Sequence, residues 1–547
     1  MNNTSRGPRM VRRTTYEKAR VPKRPQRRLG ASNRLYVLLG AAAAILGLLS
    51  FFLVGMGDPA SSDGARRLML YCAAGIRPPV EQIAADYEAE YGVSVQLTYG
   101  GTNTLLSQIE VARTGDLFLA ADDSYIKLAQ QKDLVKESIP LALIRPVIAV
   151  RTGNPKNIRS IDDLLRDDVI TALGNPDQAA IGRKTRKLLT ASGHWQRLKE
   201  HVTNSGVFLP TVPEVANNLK IGGVDAGVIW DSTVQQYSEL EAVHTPELDA
   251  GLADITIGVM TSSQHPTAAL RFARYLGARD KGLSTFAAKG FEPVAGDKWA
   301  EVPELNFFCG TVNRRAVEAV VQAFEQREGV RVNTIYDGCG ILTARMRSIG
   351  DQKQSSGFPD SYLACDRYYL ETVKEMFQEG VDISDTEVVI AVPKGNPKNI
   401  RSLLDLSKPD VRITVGQSDQ CTIGVLTRRL LKAEGLYDEV MANVVAEKPT
   451  SAMLVPDVIT GAVDATLAYA TDTKAERDKV ESIRIDSPYA KAIQPFSIAR
   501  SSDSKHLVRR LFQSIAESRA QFEAAGFHWR LNAMSNAPNS AGRDSEQ

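Results

Sequence analysis

An eight-residue stretch occurs twice in this chain. Residues 153–160 read Gly-Asn-Pro-Lys-Asn-Ile-Arg-Ser, and residues 395–402 repeat them letter for letter, 242 positions later. An identity of this length and mixed composition is very improbable by chance. The spacing is also far too long for a solenoid, whose units run about 20–50 residues. The chain is therefore interpreted as a tandem duplication of a whole domain.

Matching residues continue on both sides of the repeated stretch, and their offset drifts by only a few positions. The clearest pairs are Cys72 and Cys309, Tyr99 and Tyr336, Asp116 and Asp360, Gln178 and Gln420, and Asp225 and Asp464. The two repeats are predicted to span residues 66–296 and 304–533. Each repeat has about 230 residues, above the usual size for a single core, so two lobes are expected in each.

The charge is unevenly distributed along the chain. Residues 1–34 contain eleven Lys or Arg and one Glu, so this basic arm carries +10, while the overall net charge is only +2. The remaining residues are therefore acidic overall, at about −8. A body of this charge does not have the electrostatic footprint of a nucleic-acid-binding protein, and no nucleic-acid partner is expected.

An uncharged segment of 22 residues follows the arm, at positions 35–56. This length is sufficient for a helix to cross a bilayer core of about 30 Å. The basic arm places the N-terminal side in the cytoplasm, so a single-pass inner-membrane anchor with the repeats in the periplasm is predicted. A signal cleaved near residue 60 is the alternative. The polar end of the chain, 534–547, is predicted to be a disordered tail.

Strands and helices alternate within each repeat. Apolar runs at 67–75, 93–97 and 116–121 have the pattern of strands, and helical spacing follows each run. This order predicts an open parallel α/β sheet, with ligands beyond the carboxyl ends of the strands. The loop at 100–103 leads into a helix start, which favours an anion through backbone N–H groups. The run at 146–150 is predicted to be a hinge strand.

Four segments of the first repeat together resemble a known family. They read Cys-Ala-Ala-Gly at 72–75, Tyr-Gly-Gly-Thr-Asn-Thr-Leu-Leu-Ser-Gln-Ile-Glu at 99–110, Gly-Asp-Leu-Phe-Leu-Ala-Ala-Asp at 115–122, and Gly-Val-Ile-Trp at 227–230. Their order and spacing resemble those of periplasmic molybdate-binding proteins of ABC transporters, which are type II solute-binding proteins. The resemblance implies two tandem modules of the periplasmic-binding-protein type. Each module would have two α/β lobes joined by a hinge, and the permease and ATPase would be separate proteins.

The resemblance also implies a ligand site built from neutral donors. Family members surround a tetrahedral oxyanion with hydroxyl and backbone N–H groups, which suit an anion that has no proton to donate. Carried over by position, the site residues are Gly75, Thr102, Asn103, Ile181, Val215 and Trp230 in the first repeat, and Val312, Cys339, Ile423 and Tyr469 in the second.

Neither repeat matches the family pattern completely. Gly75 lacks the hydroxyl expected there, Trp230 has an indole N–H in place of a tyrosine hydroxyl, and Cys339 is a weak donor. Thr102 and Asn103 could instead cap a helix, and the aromatic residues Trp230 and Tyr469 could belong to the core. The expected ligand is thus a molybdate- or tungstate-like oxyanion, with another small anion as the alternative.

Four of the five cysteines lie in the second repeat, at Cys309, Cys339, Cys365 and Cys421. No Cys-x-x-Cys spacing occurs, so a zinc site is not indicated. A disulfide, a soft-metal or thiol-reactive pocket, and plain buried small residues all remain open. The histidines are scattered, and no nucleophile elbow or phosphate loop is present. No cofactor, metal or enzymatic activity is therefore expected.

These observations favour a membrane-tethered substrate-binding component of an ABC transporter that presents two binding modules to the periplasm. A membrane-tethered ligand sensor or scaffold is the alternative from a different class. An enzyme built on the same two-lobed fold is a third.

Overall fold

The structure is a computed structural model that describes residues 67–350 and 357–531. The predicted basic arm (1–34), the predicted membrane segment (35–56) and the predicted tail (534–547) lie outside the described residues. Among the residues that are described, no helix is both long enough and apolar enough to cross a membrane.

The first module is an alternation of strands and helices. Its strands are β1 (Arg67–Ala73), β2 (Ser94–Gly100), β3 (Leu117–Ala120), β4 (Val135–Ile144), β5 (Pro146–Arg151), β6 (Thr171–Gly174), β7 (Val207–Leu209), β8 (Ala226–Trp230), β9 (Leu240–Val243), β10 (Ala253–Met260) and β11 (Glu292–Pro293). Its helices are α1 (Arg77–Tyr91), α2 (Thr102–Ala112), α3 (Asp123–Gln131), α4 (Ala180–Ala191), α5 (Trp195–Ser205), α6 (Val212–Lys220), α7 (Asp231–Val234), α8 (Pro246–Asp249), α9 (Pro266–Leu276) and α10 (Gly282–Ala288).

These strands form two separate sheets, which define the two lobes of the module. The first lobe has the strand order β11-β4-β10-β3-β1-β2, and the second has the order β7-β6-β8-β5-β9. β1 is parallel to β2 and β3, as predicted, but β10 is antiparallel to both β3 and β4. The predicted parallel pairing therefore holds for β1, β2 and β3, while β10 makes the complete sheet mixed. β10 enters the first sheet after the chain returns from the second lobe, so it runs in the opposite direction.

The chain crosses between the lobes with almost no connecting residues. β4 ends at Ile144 in the first sheet and β5 begins at Pro146 in the second. The residue between them, Arg145, donates its N–H to the Asp231 carboxylate at 3.0 Å, and its carbonyl accepts from Asp231 N–H at 2.9 Å. The return connection lies between β9 and β10. This return connection, residues 244–252, includes the helix Pro246–Asp249. Two connections between two sheets form the geometry of a hinge.

The second module repeats this order of elements. Its strands are β12 (Glu304–Gly310), β13 (Arg331–Asp337), β14 (Ser361–Leu363), β15 (Val381–Pro393), β16 (Ile413–Gly416), β17 (Val444–Lys448), β18 (Ala465–Tyr469), β19 (Val480–Arg484), β20 (Lys491–Ile498) and β21 (His528–Trp529). Its helices are α11 (Arg314–Glu328), α12 (Cys339–Ile349), α13 (Arg367–Glu371), α14 (Thr422–Ala433), α15 (Tyr437–Met441), α16 (Leu454–Ile459), α17 (Ala470–Ala475), α18 (Lys505–Ala516) and α19 (Arg519–Ala525).

The hinge of the second module differs in one respect. Here β15 is continuous over 13 residues and pairs with β20 in its first part and with β18 and β19 in its second part. One strand therefore belongs to both lobes. We refer to the part with β12, β13, β14 and β20 as the first lobe, and to the part with β16 to β19 as the second.

Local sequence explains why equivalent helices end at equivalent places. α1 and α11 each have 15 residues and follow a first strand in their module. Each ends at a glycine in the left-handed region, Gly92 with φ 67° and Gly329 with φ 65°. Glycine adopts this conformation without a Cβ penalty, which makes it the usual helix terminator.

The repeated eight-residue stretch forms a local turn in each module. Asn154 and Asn157 have positive φ values of 41° and 50°, and Asn396 and Asn399 have values of 44° and 49°. The Asn154 side chain accepts from Ile158 N–H at 2.9 Å and donates to the Ile158 carbonyl at 2.8 Å. Asparagine tolerates the left-handed region and supports turns by such local bonds. The identical residues therefore form the same turn in both modules.

The two modules meet through buried charges. Arg274 of α9 donates to the Glu328 carboxylate of α11 at 2.8 Å, and Arg510 of α18 donates to the same carboxylate at 2.7 Å. All three side chains are buried. Beside them, Arg327 and Glu137 form a two-bonded pair at 2.8 and 3.0 Å. Buried ion pairs are costly unless geometry and hydrogen bonding are complete, and here both arginines converge on one carboxylate.

Candidate functional site

In the first module the two lobes touch where helix α2 begins. Asn103 N–H donates to the Gln178 carbonyl at 3.0 Å, and the Asn103 side chain donates to the Asp177 carbonyl at 2.6 Å. α2 belongs to the first lobe, while residues 177 and 178 precede α4 in the second. The cleft between the lobes is therefore closed, and Asn103 joins its two sides.

Gly101 permits this close approach. A β-carbon placed on Gly101 would lie 2.4 Å from the Gln178 carbonyl oxygen and 2.7 Å from that of Pro210. Gly101 is also the residue that caps α2, with no side-chain cap hydrogen bond. Thr102 is the first residue of α2 and is buried, so the alternative that Thr102 or Asn103 caps the helix is wrong.

A second contact between the lobes surrounds Gly75. A β-carbon on Gly75 would lie 3.6 Å from Val212 Cβ, 3.7 Å from Trp230 Cδ1 and 3.9 Å from Thr233 Oγ1. The structure thus brings together the predicted residues Gly75 and Trp230, on opposite sides of the cleft.

Sequence reasoning missed Thr233. Its hydroxyl and that of its neighbour Ser232 are buried and form no hydrogen bond within the described residues. Buried hydroxyls without a hydrogen bond are uncommon, because each unsatisfied buried group costs about 1–3 kcal/mol. A donor at this point would suit an oxyanion between Gly75 and Trp230. The signal in the sequence was only that Thr233 follows a strand end within a few residues.

Two of the predicted backbone donors differ in their availability. Ile181 is the second residue of α4, so its N–H belongs to the first helical turn, where N–H groups have no intrahelical partner. Val215 N–H instead donates to the Thr211 carbonyl at 3.4 Å within its own helix. This intrahelical bond occupies the Val215 N–H, and the role of Val215 in ligand binding stays a prediction. The first turn of α6, at Val212, is the part that approaches Gly75.

A salt bridge also spans the first cleft. Lys184 Nζ of α4 lies 2.7 Å from Asp122 Oδ2, and both side chains are largely buried. Asp122 also caps α3 by accepting from Ser124 N–H at 3.0 Å. Burial acts to raise the pKa of Asp122, but the bonds from Lys184 and Ser124 outweigh it and hold the pKa below its usual value. The pair fastens the lobes without placing an unpaired carboxylate near an anion.

The second module has the same closed cleft but different side chains. Gly340 N–H, near the start of α12, donates to the Gln420 carbonyl at 2.9 Å. Val312 occupies a 3-10 turn, Thr311–Asn313, equivalent to the turn that holds Gly75. Ile423 is the second residue of α14, and the Tyr469 hydroxyl is buried without a hydrogen bond in the described structure. Cys339 is the first residue of α12, as Thr102 is of α2.

Thiols collect at this second cleft. Cys339 Sγ lies 2.7 Å from Cys365 Sγ and accepts from Cys365 N–H at 3.1 Å. The Thr422 hydroxyl of the second lobe lies beside both sulfurs. Cys421, which caps α14, lies on the same side as Thr422. All of the cysteines are free thiols and buried. No disulfide, which was one of the alternatives left open, is formed among the described residues.

The two paired thiols have opposite acidities. Burial acts to raise the pKa of Cys339, but bonds from the Cys365 thiol and backbone N–H outweigh it, so the pKa lies below its usual value. The pKa of Cys365 is raised well above its usual value, first by burial and then by the neighbouring Cys339 sulfur. Of the pair, Cys339 is therefore the thiol that ionises first.

A carboxyl group replaces Thr233 in the second module. Asp472 lies three residues after Tyr469, as Thr233 lies three residues after Trp230. Its Oδ2 atom is buried and forms no hydrogen bond in the described residues. Burial raises the pKa of Asp472 to about 6, although Arg315 acts to lower it. A carboxylate here repels an anion at neutral pH, so the two clefts differ in the charge they accept.

Replacing Asp472 by asparagine is expected to stabilise the protein at about pH 7.5 by ~2 kcal/mol. A carboxyl whose pKa is raised by folding favours the protonated form. The stabilising contribution of protonated Asp472 is fully present below the pKa of the unfolded state. It is lost as the pH rises through the folded-state pKa of about 6. Urea unfolding of the wild type and of Asp472→Asn at about pH 4.5 and 7.5 measures the difference in their free energies of unfolding. The exposed carboxylate Asp486 provides the control, Asp486→Asn. An equal effect of the two substitutions would contradict the expectation.

No group of three or more His, Cys, Asp or Glu side chains within residues 67–350 and 357–531 is arranged to hold a metal ion. The cleft groups described above are backbone N–H groups, hydroxyls, thiols, aromatic side chains, the Lys184–Asp122 pair and the Asp472 carboxyl.

Comparison with known proteins agrees with this architecture. A family model for bacterial extracellular solute-binding protein matches the chain twice, over residues 68–292 and 305–528. The chain belongs to this solute-binding protein family. The two matches account for both modules, and the members of the family bind ligands and are not enzymes.

Individual relatives of this solute-binding protein match about one module or part of one. The molybdate-binding protein ModA of Mycobacterium tuberculosis is 29% identical over 242 residues, covering 41% of this chain and 89% of the relative. ModA of Escherichia coli is 24% identical over 172 residues, covering 30% and 64%. Among solved structures, the periplasmic molybdate-binding protein of Azotobacter vinelandii matches with a TM-score of 0.36 and 15% identity, covering 41% of this chain and 98% of that chain.

Proposed function

We propose that this chain is the substrate-binding component of an ABC transporter and that its first module binds a small tetrahedral oxyanion of the molybdate class. The observation that carries the proposal is the closed first cleft. There Gly75 faces Trp230 and the unpaired Thr233 hydroxyl, with the starts of α4 and α6 directed at the same cleft. Helix starts and hydroxyls donate hydrogen bonds to an anion without adding a proton-accepting group.

The charge of the first cleft supports an anion. The carboxylate of Asp122, which spans the first cleft, is already paired with Lys184 at 2.7 Å. A dry site of fixed dipoles then replaces the hydration shell of the ligand. The molybdate-binding relatives support this ligand class, at 24–29% identity. The ligand would pass to a separate permease and ATPase, with the hinge between β4 and β5 opening the lobes.

The second module is assigned a different ligand preference. The second module has Asp472, Cys339 and Cys365 at the positions of Thr233, Thr102 and Ala121 in the first. A carboxyl group and weak thiol donors suit an oxyanion dianion poorly. One oxyanion per chain is therefore the expected stoichiometry at about pH 7.5.

Titration calorimetry of the full chain with molybdate, tungstate, sulfate and phosphate tests the proposal. One bound molybdate or tungstate per chain, with weaker or no binding of sulfate and phosphate, is the expected result. Absence of heat with all four anions would overturn the ligand class, and two equivalent sites would overturn the difference between the modules.

Removing the Thr233 hydroxyl is expected to weaken oxyanion binding by about 10- to 100-fold, because a hydrogen bond to a charged ligand contributes about 1.5–3 kcal/mol. The substitution Thr233→Val removes the hydroxyl at nearly constant volume, and Thr102→Ala tests the neighbouring position in the same way. Thr233→Ser keeps the hydroxyl and serves as the matched control, with affinity close to that of the wild type. Equal affinities of the valine and serine variants would show that Thr233 does not contact the ligand.

A further inference from the structure

The second cleft contains a pair of thiols that the proposed oxyanion function does not use. Cys339 and Cys365 have their sulfur atoms 2.7 Å apart and are 0% and 5% exposed. They come from different elements, the start of α12 and the loop after β14. The first module has Thr102 and Ala121 at the corresponding positions. We infer that Cys339 and Cys365 form a redox-active dithiol, a modification site that a small-molecule disulfide oxidises when the lobes of the second module separate.

The placement of Cys339 favours its role as the attacking thiol. It is the first residue of an 11-residue helix, where the helix dipole favours a negative charge. It also accepts a hydrogen bond from Cys365 N–H at 3.1 Å. The thiolate is the reactive form of cysteine, and helix starts are places where thiolates are stabilised. The lowered pKa of Cys339 agrees with this geometry.

Cys365 is suited to complete the disulfide. In exchange, the Cys339 thiolate attacks one sulfur of oxidised glutathione and releases one glutathione thiolate. Cys365 then gives up its proton, and its sulfur attacks the Cys339 sulfur of the mixed disulfide, releasing the second glutathione thiolate. The protein loses two hydrogen atoms in total, and the oxidant is converted into two molecules of glutathione thiol.

Closure of the cleft controls access to this pair. A β-carbon on Gly338 would lie 2.5 Å from the Gln420 carbonyl oxygen and 2.6 Å from that of Pro449, both in the facing lobe. Thr422 of that lobe lies beside the two sulfurs, and both thiols are buried. An oxidant therefore reaches Cys339 only after the lobes separate, so the oxidation rate reports the open state of the second module.

The remaining cysteines make other contacts, although Cys309 and Cys421 lie near Cys339. Cys72 lies alone in the first module, and Cys309 is fully buried within β12. The Cys421 thiol contacts the Lys448 carbonyl at 3.6 Å, on its own side of the cleft. Metal binding is not favoured as the use of these thiols, because the described residues include no three-ligand cluster.

The test is thiol counting on the full chain after reduction and then exposure to oxidised glutathione, with the disulfide located by peptide mass spectrometry. Free thiols are expected to fall from five to three, with one disulfide between Cys339 and Cys365. The Cys365→Ala and Cys339→Ser variants are each expected to form no internal disulfide, while Cys72→Ser still forms it. Five remaining thiols, a pair that includes Cys421, or a stoichiometric bound metal would each overturn the inference.

Variants that hold a cleft open separate this inference from the oxyanion assignment. Gly338→Ala is expected to speed oxidation at least about 10-fold, because the closed second cleft excludes a β-carbon there. The equivalent change in the first module, Gly101→Ala, should leave the rate unchanged. An equal rate in the wild type and Gly338→Ala would overturn the dependence on opening. None of these readouts requires an oxyanion ligand, so failure of oxyanion binding would leave them intact.

Discussion

Replacing Glu328 by glutamine is expected to destabilise the protein by about 3–5 kcal/mol, the cost of removing one partner from a buried charge cluster. Glu328 is 1% exposed and accepts from both Arg274 and Arg510. Glutamine keeps the shape but leaves two buried guanidinium groups without a counter-charge. Because Arg274 belongs to the first module and Arg510 to the second, the junction between modules should loosen together with the fold.

Urea unfolding, monitored by tryptophan fluorescence, measures the change in the free energy of unfolding caused by Glu328→Gln. Burial acts to raise the pKa of Glu328, but the two arginines outweigh it and lower the pKa. A depressed carboxyl pKa gives stability that is present above the unfolded pKa and lost as the pH falls through the folded value. The wild type should therefore lose part of its advantage over the variant in acid.

The same helix offers a matched control for this substitution. Glu318 is bonded to Arg314 at 2.9 Å, but 43% of its side chain is exposed. Glu318→Gln should change the free energy of unfolding by no more than about 0.5 kcal/mol, as for exposed ion pairs in general. If Glu328→Gln and Glu318→Gln unfold at the same urea concentration, the buried cluster does not contribute to stability as argued.

Adding a single methyl group at Gly101 is expected to lower the affinity of the first module for its oxyanion by at least about 100-fold, or about 2.7 kcal/mol. The new β-carbon would lie 2.4 Å from the Gln178 carbonyl oxygen and 2.7 Å from that of Pro210. Both oxygens belong to the facing lobe, so the clash exists only when the cleft is closed. Ligand binding would then have to supply the free energy of a strained closure.

Backbone strain does not explain this expected loss. Gly101 has φ −66° and ψ 142°, an ordinary conformation for alanine, so Gly101→Ala should fold normally. Calorimetry gives the affinity, and small-angle X-ray scattering should show a more open module that no longer closes when ligand is added. Gly338→Ala is the matched control, because it opens the second module and should leave oxyanion binding intact. Wild-type affinity in Gly101→Ala would disprove the need for full closure.

Several features of the site could be anticipated from the sequence, and others could not. The placement of Thr102 and Cys339 at equivalent helix starts followed from the alignment of the repeats, and the structure puts each at the first position of its helix. The sequence did not show that the Val215 N–H already makes a bond to the Thr211 carbonyl within its nine-residue helix. The roles of the predicted site residues in ligand binding remain predictions.

The sequence by itself determined the duplication, the α/β class and the ends of the main strands. These properties follow from local periodicity and from the identity of two distant segments. Neither requires information about tertiary contacts. Only the tertiary structure decided which groups face one another: Thr233 with Gly75, and Cys339 with Cys365. It also decided the antiparallel entry of β10 and the convergence of two arginines on Glu328. Each of these depends on how the chain returns across a hinge or between modules, and pairing at that range leaves no periodic pattern along the chain.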